Sequence, residues 1–382
     1  MKSIARLGQR SSRLVTVLSL FAALTFIGVS PALAQTPIVV GQSCDMSGPS
    51  STRVKEYAIG VDAYIASLNT QGGVNGRPIK LVRYDDAFKP EKTLENAKKL
   101  VEQDGAVVFF GMGSAPSTAA ILSYATEKRI PIFGSLSGAD SLRKLHPLLF
   151  HFRASFGDEI ARIATHLQTM GMKRLAVIAS DLPIGKDGLA AIEISARQNG
   201  LEIVKIAQIT QDHKNLDEGV AAIAGVEPQA VLILAPAGPG IKFTEALKKK
   251  GVRAQLFGLS VMSSDSLYQA LGDQTRGMII TQVVPFPWSP KYAIAKDYQK
   301  LMAEAKIPIS IDGMEGYMSA RLLSEGLKAA GTQLTGASFV KALESMKNKD
   351  IGGLVVTLSP EDHVATNWVE ITMIGANGKL IN

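Results

Sequence analysis

From residue 38 onward, short apolar runs alternate with longer segments in which apolar positions recur at helical spacing, the pattern of a parallel sheet covered by helices. Runs at 38–41, 79–84, 106–111 and 131–133 predict strands. Val107-Val108-Phe109-Phe110 holds no polar position, which predicts a strand buried on both faces. Segments 54–69, 92–103 and 118–128 predict helices, each long enough for a right-handed crossover. The alternation then restarts, with strands at 175–179, 203–208, 231–235, 255–259 and 278–284 and helices at 158–170, 187–199 and 242–250. Two similar α/β lobes are implied. Length agrees, because a single core seldom grows past ~250–300 residues and the chain has 382.

After Val284 the chain reads Pro285-Phe286-Pro287-Trp288-Ser289-Pro290, which continues neither a central strand nor a helix and predicts a crossing between lobes. Helical segments follow at 291–305, 314–330 and 336–347, and final strands at 354–358 and 368–374 flank a polar turn. A chain that ends this way crosses between lobes more than once.

The first 34 residues have a different pattern. Lys2, Arg6, Arg10 and Arg13 precede an apolar run over 14–29 and then Pro31-Ala32-Leu33-Ala34, which predicts a secretory signal peptide cut after Ala34. A membrane anchor is the competing reading, but about 16 apolar residues fall short of the ~20 that span a bilayer. A lipid anchor needs a cysteine directly after the cut, and the single cysteine, Cys44, lies further along. One cysteine forms no internal disulfide, so the core must stabilise the fold even in an oxidising compartment.

The formal charge is +7, from 41 basic and 34 acidic residues. The leader supplies four of the basic residues, and removing them leaves 37 against 34, or +3. Basic residues are not clustered with interleaved aromatics, so nucleic acid is not an expected partner. Lys248-Lys249-Lys250 closes a helical segment before Gly251, where cations complement the helix dipole.

Catalytic and metal chemistry finds little support. His146, His151, His166, His213 and His363 are scattered, with no i, i+4 pair for zinc. Gly134-Ser135-Leu136-Ser137-Gly138 puts leucine where a nucleophile elbow needs serine. Gly111-Met112-Gly113-Ser114-Ala115-Pro116 follows a strand and opens a helix, yet its third glycine position is Pro116, which departs from the dinucleotide fingerprint. No cofactor, metal or catalytic residue is expected.

That loop instead sets small residues at the carboxyl end of a strand and the amino end of a helix, where free amides and the dipole suit a carboxylate. Ser114, Ala115 and Ser117 form the expected cradle, and a plain capping role is the alternative. The next strand ends the same way at Leu136, Ser137 and Gly138, and ligands collect at such switch points. The second lobe would present its own strand-end loops, at 180–185, 235–240 and 258–262.

Taken in order, these pieces resemble the branched-chain amino acid type of periplasmic binding proteins, the type I solute receptors of ABC transporters. The matching residues are Met46-Ser47-Gly48-Pro49, Asn69-Thr70-Gln71-Gly72-Gly73-Val74-Asn75-Gly76-Arg77 and Tyr84-Asp85-Asp86-Ala87. They continue through the 113–118 loop, Phe152-Arg153-Ala154-Ser155-Phe156, the 180–188 loop and Glu315-Gly316-Tyr317-Met318-Ser319-Ala320-Arg321. No one piece is diagnostic; the series is.

The resemblance implies two Rossmann-like lobes with parallel sheets joined by three crossover segments. The expected divisions are a signal peptide at 1–34, a first lobe from 35–153 plus 286–350, and a second from 154–285 plus 351–382. It also implies a periplasmic monomer that hands a small molecule to an ABC permease. The ligand carboxylate would meet the loops around Ser114-Ala115 and Leu136-Ser137-Gly138, with Phe156 nearby. Positions that carry aromatic residues in relatives align with Arg53, Ile184 and Ala237, and the acidic partner of an α-ammonium group aligns with Ser260. These departures favour a carboxylate lacking the amino group, although an amino acid stays open. Arg53 would suit a carboxylate through its bidentate guanidinium, or be an exposed loop cation. Two further readings remain at this point: an envelope sensor module for a signalling receptor, and an envelope enzyme.

Overall fold

The computed structural model describes residues 36–382. The signal peptide and cleavage point expected at 1–34 lie outside the described residues.

The chain opens with β1 (Ile38–Cys44), α1 (Ser51–Thr70), β2 (Ile79–Asp85), α2 (Pro90–Glu102), β3 (Val108–Phe110), α3 (Ala115–Lys128), β4 (Ile132–Phe133) and β5 (Leu149–Phe150). These strands form one parallel sheet in the order β2-β1-β3-β4-β5. Val108, Phe109 and Phe110 are fully buried, as their uninterrupted apolar run requires of a strand covered on both faces. β5 is two residues long, too short to leave a readable period.

A second series follows: α4 (Phe156–Thr169), β6 (Arg174–Ser180), α5 (Pro183–Asn199), β7 (Glu202–Ile209), α6 (Leu216–Ala224), β8 (Ala230–Leu234), α7 (Ala237–Lys249), β9 (Gln255–Gly258), α8 (Ser264–Leu271) and β10 (Ile279–Gln282). Strands β6 to β10 pair in parallel. Helices α6 and α8, with nine and eight residues, are the short ones that apolar spacing alone does not predict.

The chain then returns to the first sheet's side with α9 (Ala293–Ala305), α10 (Ile311–Ala329) and α11 (Gly336–Glu344), followed by the small pair β11 (Lys349–Asp350) and β12 (Val355–Val356). Finally β13 (Glu370–Ile374) and β14 (Leu380–Ile381) add an antiparallel edge to the second sheet, whose order is β14-β13-β10-β9-β8-β6-β7. Before reaching that edge, Leu358 N–H donates to Met346 O, and His151 bridges Val364. The chain is thus still tied to the first lobe beyond the 350/351 division read from sequence.

Two features of this fold position the cleft. Each parallel sheet reverses its strand order once, at β1 and at β6, so the loops after β1, β3, β6 and β8 gather at the carboxyl ends of their strands. Helices α1 and α10 also pack unusually closely: a Cβ on Gly60 would sit 1.8 Å from Gly313 O, and one on Gly316 would sit 2.0 Å from Tyr57 O. Glycine is required at both positions. The close approach brings Arg53, on the first turn of α1, against Asp312 and Glu315 on α10.

Among the described residues no helix is long and apolar enough to cross a membrane, and no group of three or more His, Cys, Asp or Glu could hold a metal ion. Cys44 is buried and unpaired, and burial pushes its thiol up to about 12.

Candidate functional site

A cavity lies between the strand-end loops of the two sheets, with about 460 Å³ of empty space including open solvent at its mouth. Its first-lobe wall is Arg53, Phe88, Gly113, Ser114, Ala115, Pro116, Leu136 and Ser137. Phe156, Leu182, Pro183, Ile184, Pro236 and Val261 face them. The lining is apolar except at the start of α3, at Ser137 and at Arg53.

Helix α3 begins with Ser114 as its N-cap, in extended conformation at φ −150° and ψ 168°. Its hydroxyl accepts from Ser117 N–H at 3.2 Å, while Thr118 N–H is taken by Ser114 O. Pro116 has no N–H. Ala115 therefore carries the amide that the helix start leaves for a ligand. Ser117 is fully buried. Its hydroxyl lies 2.9 Å from that of Ser114, 3.0 Å from that of Thr93 and 3.5 Å from Asp86 Oδ2, so Ser117 is a brace beneath the loop. Burial raises the Asp86 carboxyl, and hydrogen bonds from Phe88 N–H, Thr93 and Ser43 oppose the shift.

The neighbouring loop contributes Leu136 and Ser137. Ser137 Oγ accepts from Ala139 N–H at 3.2 Å, which leaves its own proton free to turn toward the cavity. Gly138 does not line the space. A Cβ there would come within 2.8 Å of the Phe156 ring, so this glycine makes room for the aromatic wall. Phe156 is the first residue of α4, fixed by a capping box in which Ser155 and Asp158 bond reciprocally.

Arg53 is buried rather than an exposed loop cation, at 4 % exposure. Its Nη2 donates to Glu315 Oε2 at 2.6 Å, and its Nε lies 3.1 Å from Asp312 Oδ1 as an ion pair without hydrogen-bond geometry. Burial pushes the Asp312 carboxyl up to about 7 against the opposing pull of Arg53 and of the Ser263 hydroxyl.

Behind Leu136 stands a second guanidinium. Arg153, wholly buried, donates to Leu136 O at 3.0 Å and Glu159 Oε1 at 2.8 Å, and its Nη1 lies 3.4 Å from Glu315 Oε1. Ser260 closes this network: its hydroxyl accepts from Arg153 Nη2 and donates to Glu159 Oε1 at 3.0 Å, and its N–H donates to Glu159 Oε2 at 2.8 Å. Thr281 Oγ1 donates to the same carboxylate at 2.5 Å. These donors hold the buried carboxylate in place.

Of the residues expected from sequence, the cavity brings together Arg53, Ser114, Ala115, Leu136, Ser137, Phe156 and Ile184. Ser117, Gly138 and Ser260 stand behind its wall, and Ala237 lies buried beside the lining Pro236. Sequence reasoning passed over Phe88 as lining and over Arg153 and Glu159 as a buried pair, and it reached Pro236 and Val261 only as members of the 235–240 and 258–262 loops. For Phe88 a signal did exist: Asp85 and Asp86 each accept an amide two residues on, from Ala87 at 2.8 Å and Phe88 at 3.0 Å, the Asx turn that such a pair favours.

A family model described as periplasmic binding protein matches residues 37–379. The chain is 22 % identical over 333 residues to Leu/Ile/Val-binding protein homolog 3 of Brucella melitensis, covering 87 % of this chain and 89 % of that protein. Among solved structures, an extracellular ligand-binding receptor from Verminephrobacter eiseniae superposes with a TM-score of 0.83 at 29 % identity, over 91 % of this chain and 100 % of that one. A solute binding protein of an ABC transporter from Rhodopseudomonas palustris, in complex with 3,4-dihydroxy benzoic acid, superposes with a TM-score of 0.78 at 22 % identity, over 90 % and 95 %.

Proposed function

The chain belongs to the periplasmic binding protein family with the type I fold, and from that premise we propose that it is the solute-capturing component of an ABC importer. In this reading it works in the periplasm as a monomer, binds a small carboxylated organic solute between its lobes and delivers it to a membrane permease. The solute is carried unchanged in this reading, and the Ser114 and Ser117 hydroxyls brace the loop, bonded to one another and toward Asp86.

The observation that carries the ligand class is the charge arrangement of the wall. The α3 amino end at Ala115 offers an amide and a favourable dipole to a carboxylate. The buried carboxylates nearby are already engaged: Asp86 by Ser43, Thr93 and the Phe88 amide, Glu159 by Arg153, Ser260 and Thr281, Glu315 by Arg53 and Arg153, and Asp312 by Arg53 and Ser263. An α-ammonium group would therefore enter without a free acid to receive it. This supports a carboxylate without an amino group over a free amino acid. The Rhodopseudomonas palustris protein holds a ligand of that kind within the same fold.

A thermal-shift screen of amino acids, amides, aromatic acids and dicarboxylates tests the reading, since a ligand at 100 times its dissociation constant adds ~2.7 kcal/mol of stability. Stabilisation by acids and not by amides is expected; no stabilisation by any acid would refute it.

A further inference from the structure

Phe88 and Leu182 line not only the cavity just described but also a second, outer compartment of the cleft, with about 840 Å³ of empty space including open solvent. The two spaces share these side chains as a common wall. The outer one is bounded by Pro49 from the first lobe and by Thr210, His213, Pro239 and Lys242 from the second.

The common wall is held by an uncommon backbone. Ala87 and Phe88 both have positive φ, 50° and 64°, a conformation that bulky residues rarely adopt and that persists where the surroundings fix it. Here the fixing groups are the carboxylates of Asp85 and Asp86, which accept the amides of Ala87 and Phe88. The turn aims an aromatic ring at the boundary between the compartments.

The charge of the outer compartment has one sign. No carboxylate lines it. Lys242 Nζ lies 3.4 Å from His213 Nδ1, and burial together with the nearby ammonium holds His213 below the usual imidazole range, so the ring accepts from Lys242. The acid next to His213, Asp212, is engaged by Thr210 at 2.7 Å and by Lys214 at 2.8 Å, and Asp217 and Glu245 line a separate groove that Lys242 also borders. Lys242 is left with ammonium protons facing a space walled by Phe88, Leu182 and Pro239.

We propose that the ligand occupies both compartments: a carboxylate at the start of α3, an apolar middle passing Phe88 and Leu182, and a second anionic group at Lys242. The substrate class is an elongated dicarboxylate with an apolar spacer. This rests on the carboxylate reading of the inner cavity, and the test separates the two.

Calorimetry of the mature protein against straight-chain α,ω-dicarboxylates of increasing length, each paired with the monocarboxylate of equal length, reads the difference. Short diacids should gain nothing over their partners. Beyond the length that reaches Lys242, the diacid should bind roughly fivefold more tightly, as a partly exposed ion pair contributes. Lys242→Gln, an exposed position, should abolish that gain and leave monocarboxylate affinity unchanged. Monocarboxylates that bind as well as diacids at every length would overturn the outer compartment alone, as would a Lys242→Gln protein that retains the gain. Failure of every carboxylate to bind would overturn the inner reading with it.

Discussion

Arg53 Nη2 lies 2.6 Å from Glu315 Oε2, with both side chains almost wholly removed from solvent, at the point where α1 and α10 approach through Gly60, Gly313 and Gly316. Glu315 reaches Arg153 with its other oxygen, and Arg153 reaches Glu159 and Ser260. One continuous buried network therefore runs from the first lobe, through the segment between β5 and α4 that carries Arg153, to the second. It holds the wall of the cleft in shape and engages its carboxylates, so that none of them is left free to recognise a ligand ammonium.

Glu315→Ala should destabilise the protein by about 3 kcal/mol or more, because it leaves two buried guanidinium groups short of a partner. Urea unfolding at neutral pH measures this. Glu325→Ala, which removes an acid paired only with Lys328 and Lys349 near the surface, should change stability by less than about 1 kcal/mol.

Ala115→Asp should abolish carboxylate binding while the protein stays folded, since it sets a negative charge beside the amide that receives the ligand. Thermal shift with and without ligand separates the two effects. Retained affinity in a folded variant would place the anchor elsewhere.

The Asp312 carboxyl, raised by burial to about 7, lies above the usual range of an aspartate in an unfolded chain. A raised acid binds its proton more tightly in the folded state, so this group's contribution to stability is present below about pH 4 and is lost as pH rises toward 7. Asp312→Asn removes the titration. The stability of that variant relative to the parent should therefore increase between pH 4 and pH 7, and denaturation profiles that run parallel over this range would contradict the assignment.

How far the sequence could be read follows from what each residue's neighbours do. The sheets and their helices were legible because buried parallel strands such as 107–110 and amphipathic helices such as α4 write their environment into their period. The start of α3 was legible for a similar reason, since Ser114, Pro116 and Ser117 are local capping residues. Ser260 was not. Aligned against relatives it looked like a missing acid, yet an acid stands 3.0 Å away as Glu159, supplied by a helix about a hundred positions earlier. Ser260→Glu would set two carboxylates together, so it is expected to destabilise this wall more than to create an ammonium site. Arg53 was ambiguous for the same reason: its partners lie some 260 positions away on α10, and no local pattern announces them.

The central claim is that this cleft recognises a carboxylate without needing an ammonium group. Calorimetry of the purified mature protein with leucine and with its deaminated keto acid tests it most directly. A buried ammonium without a free acid loses at least ~2.7 kcal/mol, so leucine should bind roughly a hundredfold more weakly than the keto acid. Leucine binding tighter than the keto acid, or in the submicromolar range, would contradict the account.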